Sequence, residues 1–231
     1  MQRPVRVAIL DDHQSIVDGY LYRLAENPRL EVISTMAYGE ELEPMLERTP
    51  RPDVLILDVS VPTSPSNPNP YPILHSIPKL IQEYASLYIL VISMFADKGL
   101  IRAVSEAGAS GYILKDDHAL IRDLASVVLS VSDGGICFSQ RANQMLLHGD
   151  TVPAKQRLST RQMEALSLSA AYPDQTTADL ARRMAVSNST VRNLLSTAYV
   201  RLGVRTRSAA IERARDLGLI TPRPSVYTTP T

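Results

Sequence analysis

Three carboxylates and a lysine stand directly after short apolar runs, and they are the residues best suited to chemistry. In chain order they are Asp11 and Asp12 after residues 5–10, Asp58 after 54–57, and Lys115 after 112–114. Such runs are typical of strands that are buried in a parallel sheet. Because ligands of open α/β sheets bind in the crevice at the carboxyl ends of the strands, we expect these charges to form a site.

The residue types indicate which chemistry this site could perform. Carboxylates that meet at one sheet edge repel each other unless a cation neutralises them, and hard oxygen ligands suit Mg²⁺. A carboxylate beside a bound Mg²⁺, with an ammonium group opposite, can accept a phosphoryl group and hold its oxygens. Ser93 ends another apolar run and adds a hydroxyl near the same crevice.

Alternating strand and helix patterns extend over residues 5–132. The predicted strands are 5–10, 31–36, 54–58, 88–93 and 111–114. The predicted helices are 14–26, 39–48, 72–85, 97–107 and 117–132. Short apolar runs separated by helices predict an α/β doubly wound, five-stranded parallel sheet, which forms a complete small domain.

Residues 63–72 are dense in turn-forming residues and directly follow the Asp58 strand. Four prolines in this stretch exclude a regular helix or a central strand. One interpretation is an inert surface insertion. The other is a lid or a partner contact that carries Tyr71.

The two parts of the chain differ in charge although the whole chain has a formal net charge of +0. Residues 1–152 hold 12 Lys and Arg against 19 Asp and Glu, whereas residues 153–231 hold 12 against 5. The difference indicates two domains with different partners, and the small basic domain suits a polyanion such as nucleic acid.

Residues 158–219 have an all-helical pattern that fits a helix-turn-helix. Predicted caps lie at Ser159 or Thr160, Thr176 or Thr177, Asn188 or Ser189, and Thr206, and Gly203 is placed to end the third helix. In the turn, small Ala185 stands where glycine is usual.

A helix-turn-helix places its second helix in the major groove of DNA. That helix would direct three side chains, Arg192, Asn193 and Ser196, toward base edges. Contacts to DNA phosphates position a protein on the duplex without reading its base sequence. Such contacts are predicted for Arg183, Thr190, Arg201, Arg205 and Arg207.

The remaining segments complete the predicted organisation. The predicted domains are 1–132, a linker at 133–157 with a possible short helix at 139–148, the helical domain at 158–219, and a disordered tail at 220–231. A lone cysteine, Cys137, and the lack of long apolar stretches or a signal-peptide pattern predict a cytoplasmic protein without membrane contact.

The motifs of both domains resemble a known family. Residues 5–132 resemble the flavodoxin-like receiver domain of two-component response regulators through 10–13 (LDDH), 57–62 (LDVSVP), 91–93 (VIS) and 108–116 (GASGYILKD). Residues 158–219 resemble the LuxR-type DNA-binding domain through 158–161 (LSTR), 189–193 (STVRN) and 202–205 (LGVR). Together they are similar to a NarL/FixJ-type response regulator.

The resemblance implies a role for each site residue. Asp58 would be the phosphoacceptor of a sensor histidine kinase, and Asp11, Asp12, Asp58 and the backbone carbonyl of Ser60 would hold Mg²⁺. Ser93 and Lys115 would bind the phosphoryl oxygens, with Tyr112 as the aromatic switch. The last helix, at 206–217, matches the family's dimer contact, so a homodimer would bind double-stranded DNA. Two departures are the long 63–72 segment and Gln162, where the family usually has Glu.

Two alternatives to this interpretation stay open. In the first, the 63–72 segment blocks Mg²⁺, and a ligand or a partner protein controls DNA binding without phosphorylation. In the second, the chain is a Mg²⁺-dependent phosphatase with Asp58 as nucleophile. Such enzymes usually carry a second acid two residues after the nucleophile, where this chain has Ser60, so we expect a regulator rather than an enzyme.

Overall fold

The computed structural model describes residues 3–147 and 157–223, which form an α/β unit followed by a helical unit. The strands are β1 (Val5–Leu10), β2 (Leu30–Met36), β3 (Val54–Leu57), β4 (Pro62–Ser64), β5 (Asn67–Pro70), β6 (Tyr88–Ser93), β7 (Gly111–Leu114) and β8 (Cys137–Phe138). The helices of the first unit are α1 (Gln14–Ala25), α2 (Leu42–Leu46), α3 (Ile73–Glu83), α4 (Lys98–Glu106), α5 (His118–Arg122), α6 (Leu124–Ser132) and α7 (Gln140–Leu147). None of the helices in these two ranges is long and apolar enough to span a membrane.

The main sheet has the predicted parallel, doubly wound arrangement. Its strand order is β2-β1-β3-β6-β7-β8, and every neighbouring pair is parallel. Side chains alternate between the two faces, so Leu10 and Leu57 contribute to one apolar core while Ile9 and Ile56 contribute to the other. Helices cover both faces, which explains why the central strands read as continuous apolar runs.

The sheet has six strands, whereas the sequence predicts five. The additional strand β8 pairs with β7 through Cys137 and Phe138. It was missed because a two-residue strand is too short to show a periodic pattern. The predicted short helix in the same region is present as α7, which packs on the α/β unit with Ala142 fully buried. Residues 148–156 of the predicted linker lie outside the described residues.

The predicted helix over 117–132 is divided into α5 and α6 at Asp123. The Asp123 carboxylate accepts a hydrogen bond of 2.7 Å from the Ser126 hydroxyl. Short acidic side chains compete with the backbone for hydrogen bonds, and this competition favours a new helix start at such a residue. The end of α6 at Ser132 agrees with the predicted end of this helix at residue 132.

The proline-rich segment forms an antiparallel hairpin, β4–β5, rather than an irregular loop. It is a separate two-stranded sheet in which Pro62 pairs with Pro70 and Ser64 with Asn67. Because proline has no N–H to donate, such strands are confined to edges and small ribbons. The prediction that this segment contains no helix or central strand is therefore confirmed, and the ribbon itself was not predicted.

The second unit consists of α8 (Thr160–Ala171), α9 (Thr177–Arg183), α10 (Asn188–Leu202) and α11 (Arg207–Asp216). Side-chain oxygens of Ser159, Thr176, Ser187 and Thr206 cap the four helices. Ser187 therefore caps α10 instead of the predicted Asn188 or Ser189, because it accepts the N–H of Thr190 in the standard N-cap geometry.

Three residues of this unit, Ala185, Gly203 and Gly218, adopt left-handed backbone conformations. Gly203 ends α10 with φ 71°, as predicted, and Ala185 in the turn has φ 52°. The first residues of the predicted tail also differ from expectation, because Ile220 and Thr221 are buried against this unit. The tail residues 224–231 lie outside the described residues.

Candidate phosphoryl-acceptor site and nucleic-acid interface

The acidic residues meet at the carboxyl edge of the sheet, between β1 and β3. Strand β1 lies between β2 and β3, so the order in which the strands are added changes direction at β1. This position is the topological switch point, where open α/β sheets bind their ligands. Asp11 is 3% exposed and Asp58 is 5% exposed. Two carboxylates that are this deeply buried require a positive partner.

Lys115 supplies that positive charge from the end of β7. Its Nζ lies 2.7 Å from Asp11 Oδ2 and 2.7 Å from Asp58 Oδ2. The backbone N–H of Lys115 also donates to the Ser93 carbonyl at 2.9 Å. This hydrogen bond holds the Lys115 backbone beside the end of β6. One ammonium group therefore bridges both buried acids. This is possible because the carboxyl ends of the parallel strands meet at the same edge of the sheet.

The pKa values in this cluster report the competition between burial and pairing. Burial raises the pKa of Asp58, as does the neighbouring Asp11 charge, and the Lys115 ammonium only partly opposes this. Burial acts to lower the pKa of Lys115, but the charges of Asp58 and Asp11 outweigh it and raise that pKa. The ammonium group therefore stays charged beside the acids.

A wider set of possible metal ligands surrounds Asp58. Ligand atoms of Asp11, Asp12, His13 and Asp58 all lie within 4.8 Å of one another. His13 Nδ1 lies 3.0 Å from Asp12 Oδ1 and 3.4 Å from Asp11 Oδ1. His13 belongs to the motif at residues 10–13, but its position in the sequence assigns it no role, because a histidine at a helix start is not by itself a signal of metal binding.

Ser60 lies beside Asp58 in the loop that follows β3. The Ser60 N–H donates to Asp58 Oδ1 at 3.3 Å, and the residue is 7% exposed. Carboxylate oxygens together with a backbone carbonyl form the hard, oxygen-rich donor set that Mg²⁺ prefers. The residues present therefore fit that cation.

Ser93 and Tyr112 are connected through the segment that follows β6. Both residues have no solvent exposure, and Tyr112 is among the largest fully buried side chains. The Tyr112 hydroxyl donates to the Phe95 carbonyl at 2.7 Å, while the Phe95 N–H donates to Ser93 Oγ at 3.4 Å. Tyr112 thus lies inside the unit, close to the acid cluster. Burial raises its pKa, so the hydroxyl stays protonated.

The second unit presents the predicted base-contacting residues on one surface. Arg192, Asn193 and Ser196 lie on α10 and are all exposed. Val191, Leu195 and Ala198 on the same helix are buried and hold α10 against α8 and α9. The helix is therefore anchored by its apolar side while its polar side remains accessible to solvent.

The predicted phosphate-contacting residues have different surroundings. Arg183 lies over the Tyr172 ring, 3.7 Å from its centroid, and Arg201 donates to the Arg157 carbonyl at 2.6 Å. Arg207 is half-buried and donates to the Gln175 carbonyl at 3.0 Å. Arg205 is exposed, and the Thr190 hydroxyl lies 2.8 Å from the Ser187 hydroxyl at the start of α10.

A buried acid that the sequence analysis missed, Glu164 of α8, joins the two units. It is 2% exposed, and its carboxylate lies 3.0 Å from His75 Nε2, 3.4 Å from Lys79 Nζ and 2.7 Å from Arg161. Burial alone would raise the pKa of Glu164, but His75 and Arg161 lower it to about 2. Gln162, the departure noted in the sequence, accepts the Ser159 N–H at 2.9 Å in the cap of α8.

Comparisons with known proteins extend over nearly the whole chain, although no protein-family model matches it. Oxygen regulatory protein NreC of Staphylococcus epidermidis is 29% identical over 223 residues, which are 91% of this chain and 96% of that protein. The DNA-binding transcriptional activator DevR/DosR of Mycobacterium tuberculosis is 29% identical over 225 residues, which are 92% and 95% of the two chains.

Among solved structures, the chain is similar to RcsB from Salmonella enterica serovar Typhimurium bound to promoter rprA in the presence of phosphomimetic BeF₃⁻. The TM-score is 0.61 at 21% identity, with 91% of this chain and 98% of that chain covered. At this identity the likeness establishes the shared fold. The chain is therefore similar over nearly its whole length to regulatory proteins, one of them a DNA-binding transcriptional activator, and it shares the two-unit fold of the RcsB structure.

Proposed function

We propose that this protein is a DNA-binding transcriptional response regulator that a sensor histidine kinase phosphorylates on Asp58. The observation that carries the proposal is the position of Lys115 Nζ, 2.7 Å from both Asp58 and Asp11 at the carboxyl edge of the sheet. We assign the protein to the cytoplasm, because the two proposed partners, a kinase and chromosomal DNA, would be met there.

Asp11, Asp12, Asp58 and the Ser60 carbonyl are the groups that would hold Mg²⁺. When bound, the cation neutralises the carboxylates and the charge that develops on a transferring phosphoryl group. His13 lies within the same group of possible ligands and could adjust the affinity for the cation. The buried position of Asp11 and Asp58 keeps their carboxylates fixed for this task.

The chain's own residues account for the rest of the transfer. A carboxylate oxygen of Asp58 attacks the phosphorus of a phosphohistidine, the P–N bond breaks, and the departing imidazole takes up a proton. The product is an acyl phosphate on Asp58. The Lys115 ammonium and the Ser93 hydroxyl then hold phosphoryl oxygens, and the added negative charge biases the arrangement of the unit.

The helical unit supplies DNA recognition in this proposal. Arg192, Asn193 and Ser196 on the exposed side of α10 suit base edges in the major groove. The excess of basic residues after residue 152 suits the phosphate backbone, so DNA affinity is expected to fall as salt rises. We assign α11 to dimer contact by resemblance, and a two-fold protein would bind two half-sites.

Intact-mass measurement after incubation with a small phosphodonor and Mg²⁺ tests this proposal. Wild type is expected to gain one phosphoryl group, whereas Asp58→Asn gains none. Asp53→Asn is the matched control, because Asp53 is an acid outside the cluster that pairs with Arg3 at 2.7 Å. Equal labelling of wild type and Asp58→Asn would contradict the assignment of the phosphoacceptor.

A ligand-controlled regulator is the second candidate, and one observation favours it. A cavity of about 690 Å³ lies between the two units, lined by α3 and α4 on one side and by α8 and the segment after α11 on the other. Binding sites for small molecules occur preferentially between domains. This candidate predicts that Asp58→Asn leaves DNA affinity unchanged under phosphorylating conditions.

A further inference from the structure

The β4–β5 hairpin begins immediately after the loop that carries the phosphoacceptor. Only Val59, Ser60 and Val61 separate Asp58 from Pro62, and these three residues are buried. The hairpin base is therefore packed into the α/β unit. A rearrangement of the Asp58 loop would change the position of the hairpin base, because no exposed, flexible segment lies between Asp58 and the hairpin.

Internal hydrogen bonds make the hairpin a defined structure. The Thr63 hydroxyl donates to the Asn69 carbonyl at 2.8 Å, and Asn67 Oδ1 accepts from the Asn69 side-chain amide at 2.8 Å. At the base, the Tyr71 N–H donates to the Val61 carbonyl at 2.9 Å. Four prolines within 62–70 further restrict the backbone, since each fixes its own φ.

The tip of the hairpin reaches the helical unit through Asn67. Its side-chain amide donates to the Ala171 carbonyl at 2.9 Å, and Ala171 is the last residue of α8. The final carbonyls of a helix have no partner within the helix. The hairpin therefore supplies a hydrogen bond that α8 lacks, across the boundary between the two units.

A second contact lies next to this one. The Tyr172 hydroxyl donates to Glu40 of the α/β unit at 3.2 Å, and Arg183 lies over the Tyr172 ring. Tyr71, at the base of the hairpin, packs so closely on Gly39 that a side chain at residue 39 would collide with it. The hairpin, the segment at Gly39 and Glu40, and the end of α8 thus form one continuous contact.

We propose that the β4–β5 hairpin docks the DNA-binding unit on the receiver and transmits the state of Asp58 to it. This inference rests on the proposed function, because it assigns a route from the phosphorylated residue to the DNA-binding unit. In the unphosphorylated chain the Asn67 amide holds the end of α8. Phosphorylation moves the loop from Asp58 to Val61, displaces the hairpin base, and releases the Asn67 contact.

Hydrogen–deuterium exchange of the full chain, read by mass spectrometry, tests the proposal with two variants of equal charge. Asn67→Asp keeps the Oδ1 acceptor for Asn69 but places a carboxylate, which has no hydrogen to donate, against the Ala171 carbonyl. Ser66→Asp adds the same charge at an exposed neighbouring position that contacts Ser64 within the hairpin. Each protein is measured with and without phosphodonor and Mg²⁺, and its phosphorylation is determined separately by intact mass.

We expect Asn67→Asp to increase exchange in residues 168–175 by about five-fold, the effect of losing one neutral hydrogen bond, and Ser66→Asp to match wild type. Phosphorylated wild type should approach the exchange of Asn67→Asp. Equal exchange in the two variants would overturn the docking role. Phosphorylated wild type with unchanged exchange would overturn the transmission while leaving the proposed function intact, and a chain that accepts no phosphoryl group would overturn both.

Discussion

The acid cluster and the exposed side of α10 are built in opposite ways. Asp11, Asp58 and Lys115 come from the ends of three strands. Their side chains are almost inaccessible to solvent, and Lys115 pairs with each acid at 2.7 Å. Arg192 and Asn193 are neighbours on one helix and are both exposed. The first site is held by the attraction of both carboxylates to one ammonium group, while the second depends only on the packing of the helix that carries it.

Because of this difference, a substitution should have different consequences in the two regions. Removing Lys115 from the acid cluster leaves two buried carboxylates without a partner, so we expect both the stability of the fold and phosphoryl acceptance to fall. Removing an exposed residue of α10 that we propose to contact bases should leave the fold unchanged, so only DNA binding is expected to weaken. The units can therefore be distinguished by whether loss of function is accompanied by loss of stability.

The largest expected effect comes from Lys115→Met, measured by urea unfolding with a chelator present. Two buried carboxylates would face each other without the ammonium group, and breaking such a buried pair costs about 3–5 kcal/mol of unfolding free energy. Lys98→Met, at a lysine of α4 outside the acid cluster, is the matched control. A double variant with Asp58→Asn should recover part of the loss, and equally small losses for both lysines would contradict the pairing.

The next effect concerns DNA binding by Arg192→Ala. We expect DNA binding to become less favourable by about 1–3 kcal/mol, through loss of the contact to one base pair. The free energy of unfolding should stay unchanged, because the side chain is exposed. Fluorescence anisotropy with duplex DNA measures the affinity. Arg141→Ala removes the same charge from an exposed arginine of the first unit and should leave affinity unchanged. An equal loss in both variants would indicate a contribution from net charge alone.

A smaller effect is expected from Glu164→Gln, which neutralises the acid between the units. We expect docking of the units to weaken by about 1.5 kcal/mol, the lower end for hydrogen bonds to charged groups. Small-angle scattering of the full chain measures docking, and Glu106→Gln at an exposed acid of α4 is the control.

The same contact has a defined pH dependence. The pKa of Glu164 is lowered to about 2 from the ordinary value of 4.5, so its contribution is complete above pH 4.5 and is lost as pH falls toward about 2. The acid faces His75, Lys79 and Arg161. Wild type should therefore begin to undock below about pH 4.5. The Glu164→Gln variant should not show this acid-induced undocking. Identical pH profiles for wild type and the variant would contradict a role of Glu164 in docking.

The smallest effect should be a gain in stability from Ala185→Gly. Residue 185 has φ 52°, a conformation that glycine adopts without the steric cost of a Cβ atom. The left-handed conformation costs alanine about 1–2 kcal/mol, which exceeds the entropic cost of glycine of about 0.5–1 kcal/mol. We therefore expect thermal unfolding to show about 0.5–1 kcal/mol of net stabilisation with DNA affinity unchanged. Ala178→Gly, within α9, should instead destabilise the unit, and a loss in both variants would contradict the assigned strain.

The acid cluster was predictable because parallel strands place their carboxyl ends at one edge, whichever helices connect them. Helix caps such as Ser159 and the end of α10 at Gly203 were predictable because they depend on local backbone geometry. The hairpin was not predicted, since its pairing depends on side-chain hydrogen bonds that proline-rich sequence patterns do not encode. The role of Glu164 was also hidden, because it depends on how two separately folded units meet.

We propose that phosphorylation of Asp58 controls DNA binding. The most direct test of this proposal is the affinity of one protein sample for duplex DNA, selected from a random-sequence pool, before and after verified phosphorylation. We expect about a ten-fold or greater gain in affinity for wild type, a typical size for coupling between sites, and no gain for Asp58→Asn. Equal affinities of phosphorylated and unphosphorylated wild type would contradict it and favour control by a ligand.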